Sequence, residues 1–472
     1  MKSYLFYDIE TSGLNKSFDQ ILQFAAIRTD MQLNELERYN ITVSLRPDVV
    51  PSPMATITHR IGIETCMEGV CEYEAVRHIH ALMNREGTIS LGYNTLGFDD
   101  EFLRFAFHRN LLSPYTHQWA NGCSRMDLLP MAVLYHLYMP GTLTWPRLEN
   151  GKTTLKLEKL SEANSLAEGQ AHDAMVDVEA TLALARNFAA EGKMWEYVTG
   201  YFNKKEDGLR MAKLPPRHVS SAGQHTWGIM TGSKFGPDAF YQAPVLYLGE
   251  SIPYKNQTLW LRLDDEDLIT GEGEIEGRVW VLRKRLGEPN VILPPLERFV
   301  GRLSAERLAR VEENLAWLSE NPDAFARIVR HHREFRYPDI PNLDVDTSLY
   351  QNGFLSKAEE AFCAKFHRAG PEAMAEAMQA MAPGNVRELA ARVLFRNYPE
   401  FSDEEVFEAF EAYMAKVHPQ EDEPPMQDFR GDIRLTPAAA MEEIARVRNE
   451  VPLDDAQAHL LDELEGYIAS NF

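Results

Sequence analysis

The sequence predicts an α/β fold over its first 190 residues, a small curled sheet or barrel in the middle, and an all-helical last quarter. Three observations carry this. Early strand patterns give way to helix–strand–helix alternation, the mark of a mixed α/β sheet. Short strands parted by glycine and charged turns fill residues 218–292. Helical patterns follow one another with few breaks after Pro341. At 472 residues the chain is long enough for two or three domains. We place them at 1–195, 196–345 and 346–472.

The elements follow in order. Residues 3–9 (Ser-Tyr-Leu-Phe-Tyr-Asp-Ile) read as a buried strand. Residues 21–29 and 36–45 read as its partners across polar turns. Residues 71–85 have helical spacing, 88–93 are a strand, and 99–109 are a helix with acids in its first turn, which suits the positive end of the helix dipole. Helices follow at 126–138 and 155–164, then a strong one at 171–190, rich in Ala, Leu and Glu. Leu214-Pro215-Pro216 marks a boundary or a fixed turn. Strands are predicted at 243–248, 258–262 and 276–283, and helices at 303–319 and 324–334. The last quarter reads as helices at 357–367, 371–381, 386–395, 403–416, 437–449 and 454–468, with an acidic, proline-bearing loop at 420–425.

Composition excludes several classes. Hydrophobic content is 44%, ordinary for a globular protein. The apolar runs are short and broken by charges, so no membrane span is expected. The strand pattern begins at once, with no signal peptide ahead of it. The four cysteines form no C-x-x-C pair, which argues against zinc and a disulfide framework and fits a reducing cytoplasm. A net charge of −23 argues against a nonspecific nucleic-acid coat, yet −14 of it falls in residues 346–472 and only −2 in 191–345. The middle can therefore carry a local basic groove.

Three short patterns carry chemistry. Asp8 and Glu10 stand two apart on a strand, so their side chains share a face. Two carboxylates buried there are costly unless a cation is present. In Asn94-Thr95-Leu96-Gly97-Phe98-Asp99-Asp100 a strand ends and an acid opens a helix; taken alone, either aspartate could be a simple N-cap. In His172-x4-Asp177 the spacing sets His172 on the loop before the helix and points Asp177 in from the helix. Imidazole titrates near neutrality, so His172 can take a proton from an attacking water. Asp173 is the better cap. Four acids of this kind can bridge two metal ions and cut phosphodiesters.

In this order and on these elements, the patterns resemble the DEDD exonuclease superfamily, in its histidine-bearing branch. Phe24–Asp30, Leu91-Gly92-Tyr93-Asn94, Ser124–Leu129, Ala171–Met175, His218-Val219-Ser220 and Leu349–Phe354 are similar to the bacterial exonuclease I family. The resemblance implies a ribonuclease H-like exonuclease domain, an SH3-like β-barrel domain and a helical C-terminal domain, closing into a C around single-stranded DNA. It implies 3′→5′ degradation to 5′-mononucleotides, with a role in DNA repair and recombination. Asp8, Glu10, Asp99 and Asp177 match the metal-binding acids and His172 the general base. The implied cofactor is Mg2+, two ions, with Mn2+ as a substitute. The implied partner is single-stranded-DNA-binding protein, through its acidic C-terminal tail. We read the chain as a monomer.

Substrate contacts are expected from Thr11 and Asn94 beside the acids and from Arg125. No acid occurs from Gly208 to Pro237, where Arg210, Lys213, Arg217 and Lys234 interleave with Trp227 and Phe235. Such basic–aromatic stretches bind single strands. The runs at 327–336 and 283–285 are weaker candidates, and Trp145 could stack on substrate. The rival readings are an RNA-trimming exonuclease of the same superfamily and a non-catalytic nucleic-acid-binding scaffold.

Overall fold

The computed structural model describes residues 2–169, 172–270, 273–420 and 423–472. Residue 171, the first of the predicted 171–190 helix, and residues 421 and 422 of the predicted acidic loop lie outside these. The chain packs as two units: Met1–Arg125 with Ala167–Leu182 and Asp339–Phe472, and Met126–Leu166 with Ala183–Pro338.

The first unit is built on a five-stranded mixed sheet. Its strands are β1 (Ser3–Thr11), β2 (Ile21–Thr29), β3 (Glu35–Thr42), β4 (Thr88–Gly92) and β5 (Ser124–Asp127), in the order β3-β2-β1-β4-β5. β1 is antiparallel to β2 and parallel to β4. Its run Tyr-Leu-Phe-Tyr is apolar on both faces because the strand is central and covered on both sides. Only Asp8 and Glu10 break that burial. β3 is the edge and is half exposed and charged along its length, which blunts edge-to-edge pairing.

Leu5, Tyr7, Ile9 and Phe24 pack with Val76 and Ile79 of helix Glu72–Met83, and with Phe102, Leu103 and Ala106 of helix Asp99–Arg109. The i, i+3 and i+4 spacing of these helical residues makes one apolar face. The C-terminal helices bury Phe366, Met374, Leu389 and Val393 with Tyr73 and Leu111. They also bury Ile444, Val447, Leu461 and Leu464 with Val50 and Ile57. A buried ionic network completes the join within this unit. Asp48 accepts from Arg396 at 2.8 Å, Asp346 from Arg396 at 2.6 Å and from Arg392 at 2.9 Å, and Arg46 bonds Glu72 at 3.1 Å.

The second unit holds β6 (Pro216–Ser220), β7 (Gly223–Thr231), β8 (Gln242–Glu250), β9 (Gln257–Arg262), β10 (Val281–Arg285) and β11 (Val291–Leu293). The path β10-β9-β8-β7-β11 is open, with β6 paired to β7. The expected barrel is thus not closed: among the described residues no ladder joins β10 to β11. Side chains alternate between two cores. Leu246, Leu248, Leu259 and Leu261 face Val311, Leu315, Leu318, Phe325 and Ile328 of helices Ala305–Glu320 and Pro322–Glu334. Val245, Trp260, Met230 and Ile292 fill the other core. The strand expected at 276–283 is also corrected. Ile275–Arg278 is a helical turn, fastened by Arg278 side-chain bonds to the Gly273 and Leu268 carbonyls, and the strand begins only at Val281. No helix among the described residues is long and apolar enough to cross a membrane.

Candidate active site

Four segments of the first unit meet at the centre of the sheet. β1 carries Asp8 and Glu10, whose cross-strand partners are Ala25 and Gln23. The register slips between Glu10 and Thr11, so the strand ends there and turns away. Parallel β4 runs into a tight turn in which Asn94 has φ +64°. Gly92 is required at its start: a Cβ would meet Thr95 Cγ2 at 2.2 Å and the Tyr7 carbonyl oxygen at 2.4 Å. The turn delivers Asp99 as the first residue of its helix. Neither aspartate caps that helix; the N-cap is Phe98, with no side-chain cap bond. Asp99 instead accepts the backbone N–H of Ile9 at 3.2 Å.

The fourth segment is the stretch Ala167–Leu182 of the first unit. Helix Ala174–Ala190 begins after His172, whose φ is +65°. Asp173 accepts the N–H of Met175 at 2.9 Å, and so serves as the cap. Asp177 follows in the first turn. Glu10, His172 and Asp177 each offer a ligand atom within 4.8 Å of the other two.

The electrostatics are those of a site made for a cation. Burial pushes the Glu10 carboxyl up to about 9, with Asp177 and Asp99 adding to the effect. Asp8 is raised well above the usual carboxylate range by burial, then by Asp99, Glu10 and Asp177. Like charges in a low-dielectric pocket disfavour ionisation. An oxygen-seeking divalent ion reverses that penalty, because it neutralises the carboxylates it binds. The donor set of carboxylate oxygens with one imidazole therefore fits a hard metal.

The structure gives the expected substrate residues varied surroundings. Thr11 is buried and donates its hydroxyl to the Gly13 carbonyl at 2.8 Å, while Asn94 is exposed. Arg125 bonds Asp100 at 2.5 Å. In the second unit, Arg217 lies 5.3 Å over Trp227 and pairs with Glu312. Arg210 is held between Tyr197 and Tyr201 and pairs with Glu206. Lys213 and Lys234 are exposed, the latter 5.5 Å from the Phe235 ring. In the run at 283–285, Lys284 is fully buried on Asp207 at 2.8 Å, so that cation is internal. In the run at 327–336, Arg327 pairs with Glu276 at 2.7 Å.

Sequence reasoning missed two supports of this site. Gln23 accepts from the Ala174 N–H at 3.4 Å, linking β2 to the start of the late helix. Asp100, next in sequence to Asp99, pairs with Arg104 and bonds the buried His117 ring. Only the strand register, which the sequence does not display, reveals the first.

The family described as Exonuclease matches residues 5–185, and the one described as Exonuclease I C-terminal domain matches 343–471. Exodeoxyribonuclease I of Haemophilus influenzae is 32% identical over 382 residues, 76% of this chain and 78% of that protein. The chain belongs to the exodeoxyribonuclease I family. The Escherichia coli exodeoxyribonuclease I is 30% identical over 387 residues, again 76% of this chain and 78% of the other. The solved E. coli exonuclease I in complex with a 5cy-dT13 oligonucleotide superposes with a TM-score of 0.85 at 24% identity, covering all of both chains. Exonuclease I of Methylocaldum szegediense does so with a TM-score of 0.83 at 26% identity, again over all of both chains. An E. coli exonuclease I–single-stranded DNA complex has also been solved in a zinc-bound form, with a TM-score of 0.84 at 24% identity over all of both chains. Membership of the exodeoxyribonuclease I family makes this chain a nuclease.

Proposed function

We infer that the chain is a 3′→5′ exodeoxyribonuclease on single-stranded DNA that hydrolyses phosphodiesters and releases 5′-mononucleotides. The observation that carries this is the gathering of Glu10, His172 and Asp177 within 4.8 Å of one another, with Asp99 near enough to raise the Asp8 and Glu10 carboxyls, in a chain of the exodeoxyribonuclease I family. Solved relatives bound to dA16 and dT13 oligonucleotides support the choice of substrate.

In this reading the four acids would hold two Mg2+ ions, with Mn2+ able to replace them. Bound there, the ions would supply positive charge to a phosphodiester undergoing hydrolysis. The protein's own residues do the rest. Asp8 and Glu10 fix the acids on a rigid central strand, and Asp99 and Asp177 close the set from two helix starts. His172, on the left-handed turn before its helix, accepts the proton of the attacking water. Thr11 and Asn94, close in sequence to the acids Glu10 and Asp99, are proposed to contact the last nucleotide. Arg125, Arg210, Lys213, Arg217, Trp227 and Lys234 are proposed to contact the strand, with Arg217 over Trp227 as a stacking platform.

We further propose that residues 1–195 act as the exonuclease domain, 196–345 as an SH3-like module built on the open sheet, and 346–472 as the helical C-terminal domain. The protein is read as a cytoplasmic monomer serving DNA repair, which takes the acidic tail of single-stranded-DNA-binding protein as its partner. Digestion of matched DNA and RNA strands tests the substrate: faster release from DNA supports the reading, and equal or faster release from RNA overturns it.

A further inference from the structure

We propose that Asp100 is a positioning residue for the reaction, fastening the start of the Asp99 helix so that Asp99 stays directed at the metal site. This rests on the reading of Asp99 as a metal ligand.

Adjacent residues on a helix point about 100° apart. Asp99 and Asp100 therefore leave the same turn toward different neighbours. Asp99 reaches β1, at the Ile9 N–H. Asp100 reaches three groups: Arg125 of β5 at 2.5 Å, His117 Nε2 at 2.9 Å, and Arg104 one turn along its own helix at 2.5 Å. Its backbone N–H donates to the Thr95 carbonyl at 2.9 Å. Asp100 and His117 are both 0% exposed, and Arg125 and Arg104 are largely covered. His117 is itself wedged edge-on against Phe107 of the same helix, with ring centroids 5.7 Å apart.

The helix start is thus held from two sides. Two strands that flank β4, β1 and β5, grip consecutive residues, Asp99 and Asp100. A metal ligand on a flexible first turn would lose affinity, because the ligand must be ordered as the ion binds. Buried groups that orient ligands from behind typically govern metal affinity by about 10–100-fold. Asp100 does so without touching metal or substrate, since its carboxylate oxygens are already taken by Arg125, Arg104 and His117.

The test is Mn2+ binding to metal-free full-length protein without DNA, by calorimetry, at a temperature well below each variant's unfolding. D100N is expected to weaken Mn2+ binding by about tenfold or more. R125M, which leaves Asp100 paired to Arg104 and His117, is expected to weaken it by a smaller factor, and R125K to restore most of it. For D100N the Mn2+ concentration for half-maximal cleavage should rise in parallel, while turnover at saturating Mn2+ recovers; the Arg125 variants are read by Mn2+ binding alone. A merely structural role would lower the folded fraction and leave the dissociation constant of the folded protein unchanged. Should D100N fail to fold, the R125M and R125K pair decides alone. D99N is the control. If D99N loses Mn2+ while D100N and R125M bind as wild type does, the clamp is overturned alone. If D99N also binds as wild type, the assignment of Asp99 falls and the clamp with it.

Discussion

The backbone N–H of Ile9 donates to a carboxylate oxygen of Asp99 at 3.2 Å, across 90 residues of chain. One bond thereby ties the helix that starts at Asp99 to the strand that carries Asp8 and Glu10. D8A and D177N should each reduce nucleotide release by about 10²–10³-fold, on the order of what loss of one essential charge-stabilising group costs. Both should still bind single-stranded DNA in filter or anisotropy assays. Near-normal release by either would remove that acid from the set.

The raised carboxyl of Glu10 makes a signed prediction about pH. Its folded value, about 9, stands above the ordinary 4.5. A group raised on folding stabilises the folded state below its unfolded value, and that stabilisation is lost as pH rises through the folded value. Without metal, wild-type protein should therefore lose stability relative to E10Q between about pH 4.5 and about pH 9. The gap in Tm between the two should widen across that window, and Mg2+ should raise the Tm of wild type more at pH 9 than at pH 6. A gap that is constant with pH would show that Glu10 is ordinary in the folded protein.

His172 stands on a left-handed turn, φ +65°, and offers a ring nitrogen within 4.8 Å of ligand atoms of Glu10 and Asp177. H172A should lower turnover by about 10²–10⁴-fold, the usual worth of a general base. H172Q should keep the fold and lose turnover to a similar extent. Turnover near that of wild type in either variant would assign the proton to another acceptor.

Arg396 donates to Asp48 at 2.8 Å and to Asp346 at 2.6 Å, all three buried. Both carboxyls lie well below the usual range despite burial, held there by Arg396 and the other arginines. R396M should cost about 3–5 kcal/mol by denaturant unfolding, because it leaves buried carboxylates uncompensated. A cost below 1 kcal/mol would mean that water or Arg434 takes over the role.

Much of this was legible in the sequence. The helix at Asp99–Arg109 falls on its predicted bounds because its acids, its apolar face and its ends agree. His172 does lie before its helix, as the five-residue offset from Asp177 requires. What was hidden depends on distant partners. The sequence reads 218–292 as short strands without placing β6 and β7, because Pro215-Pro216 reads as a break and the hairpin mixes His, Gly and polar residues. Lys284 reads as one of three adjacent cations until Asp207, 77 residues away, is seen beneath it. Asp100 reads as a helix cap until Arg125 and His117 are brought to it. A charge's neighbours across the fold decide whether it serves the surface, the core or the chemistry, and spacing along the chain does not carry that.

The most direct test is digestion of one single-stranded DNA, labelled at its 3′ or its 5′ end, with and without Mg2+, by wild type and D8A. The account predicts immediate release of labelled mononucleotide from the 3′-labelled strand, progressive shortening of the 5′-labelled one, and neither without metal or in D8A. Release from the 5′ end first, or cleavage that persists without metal or with D8A, would contradict it.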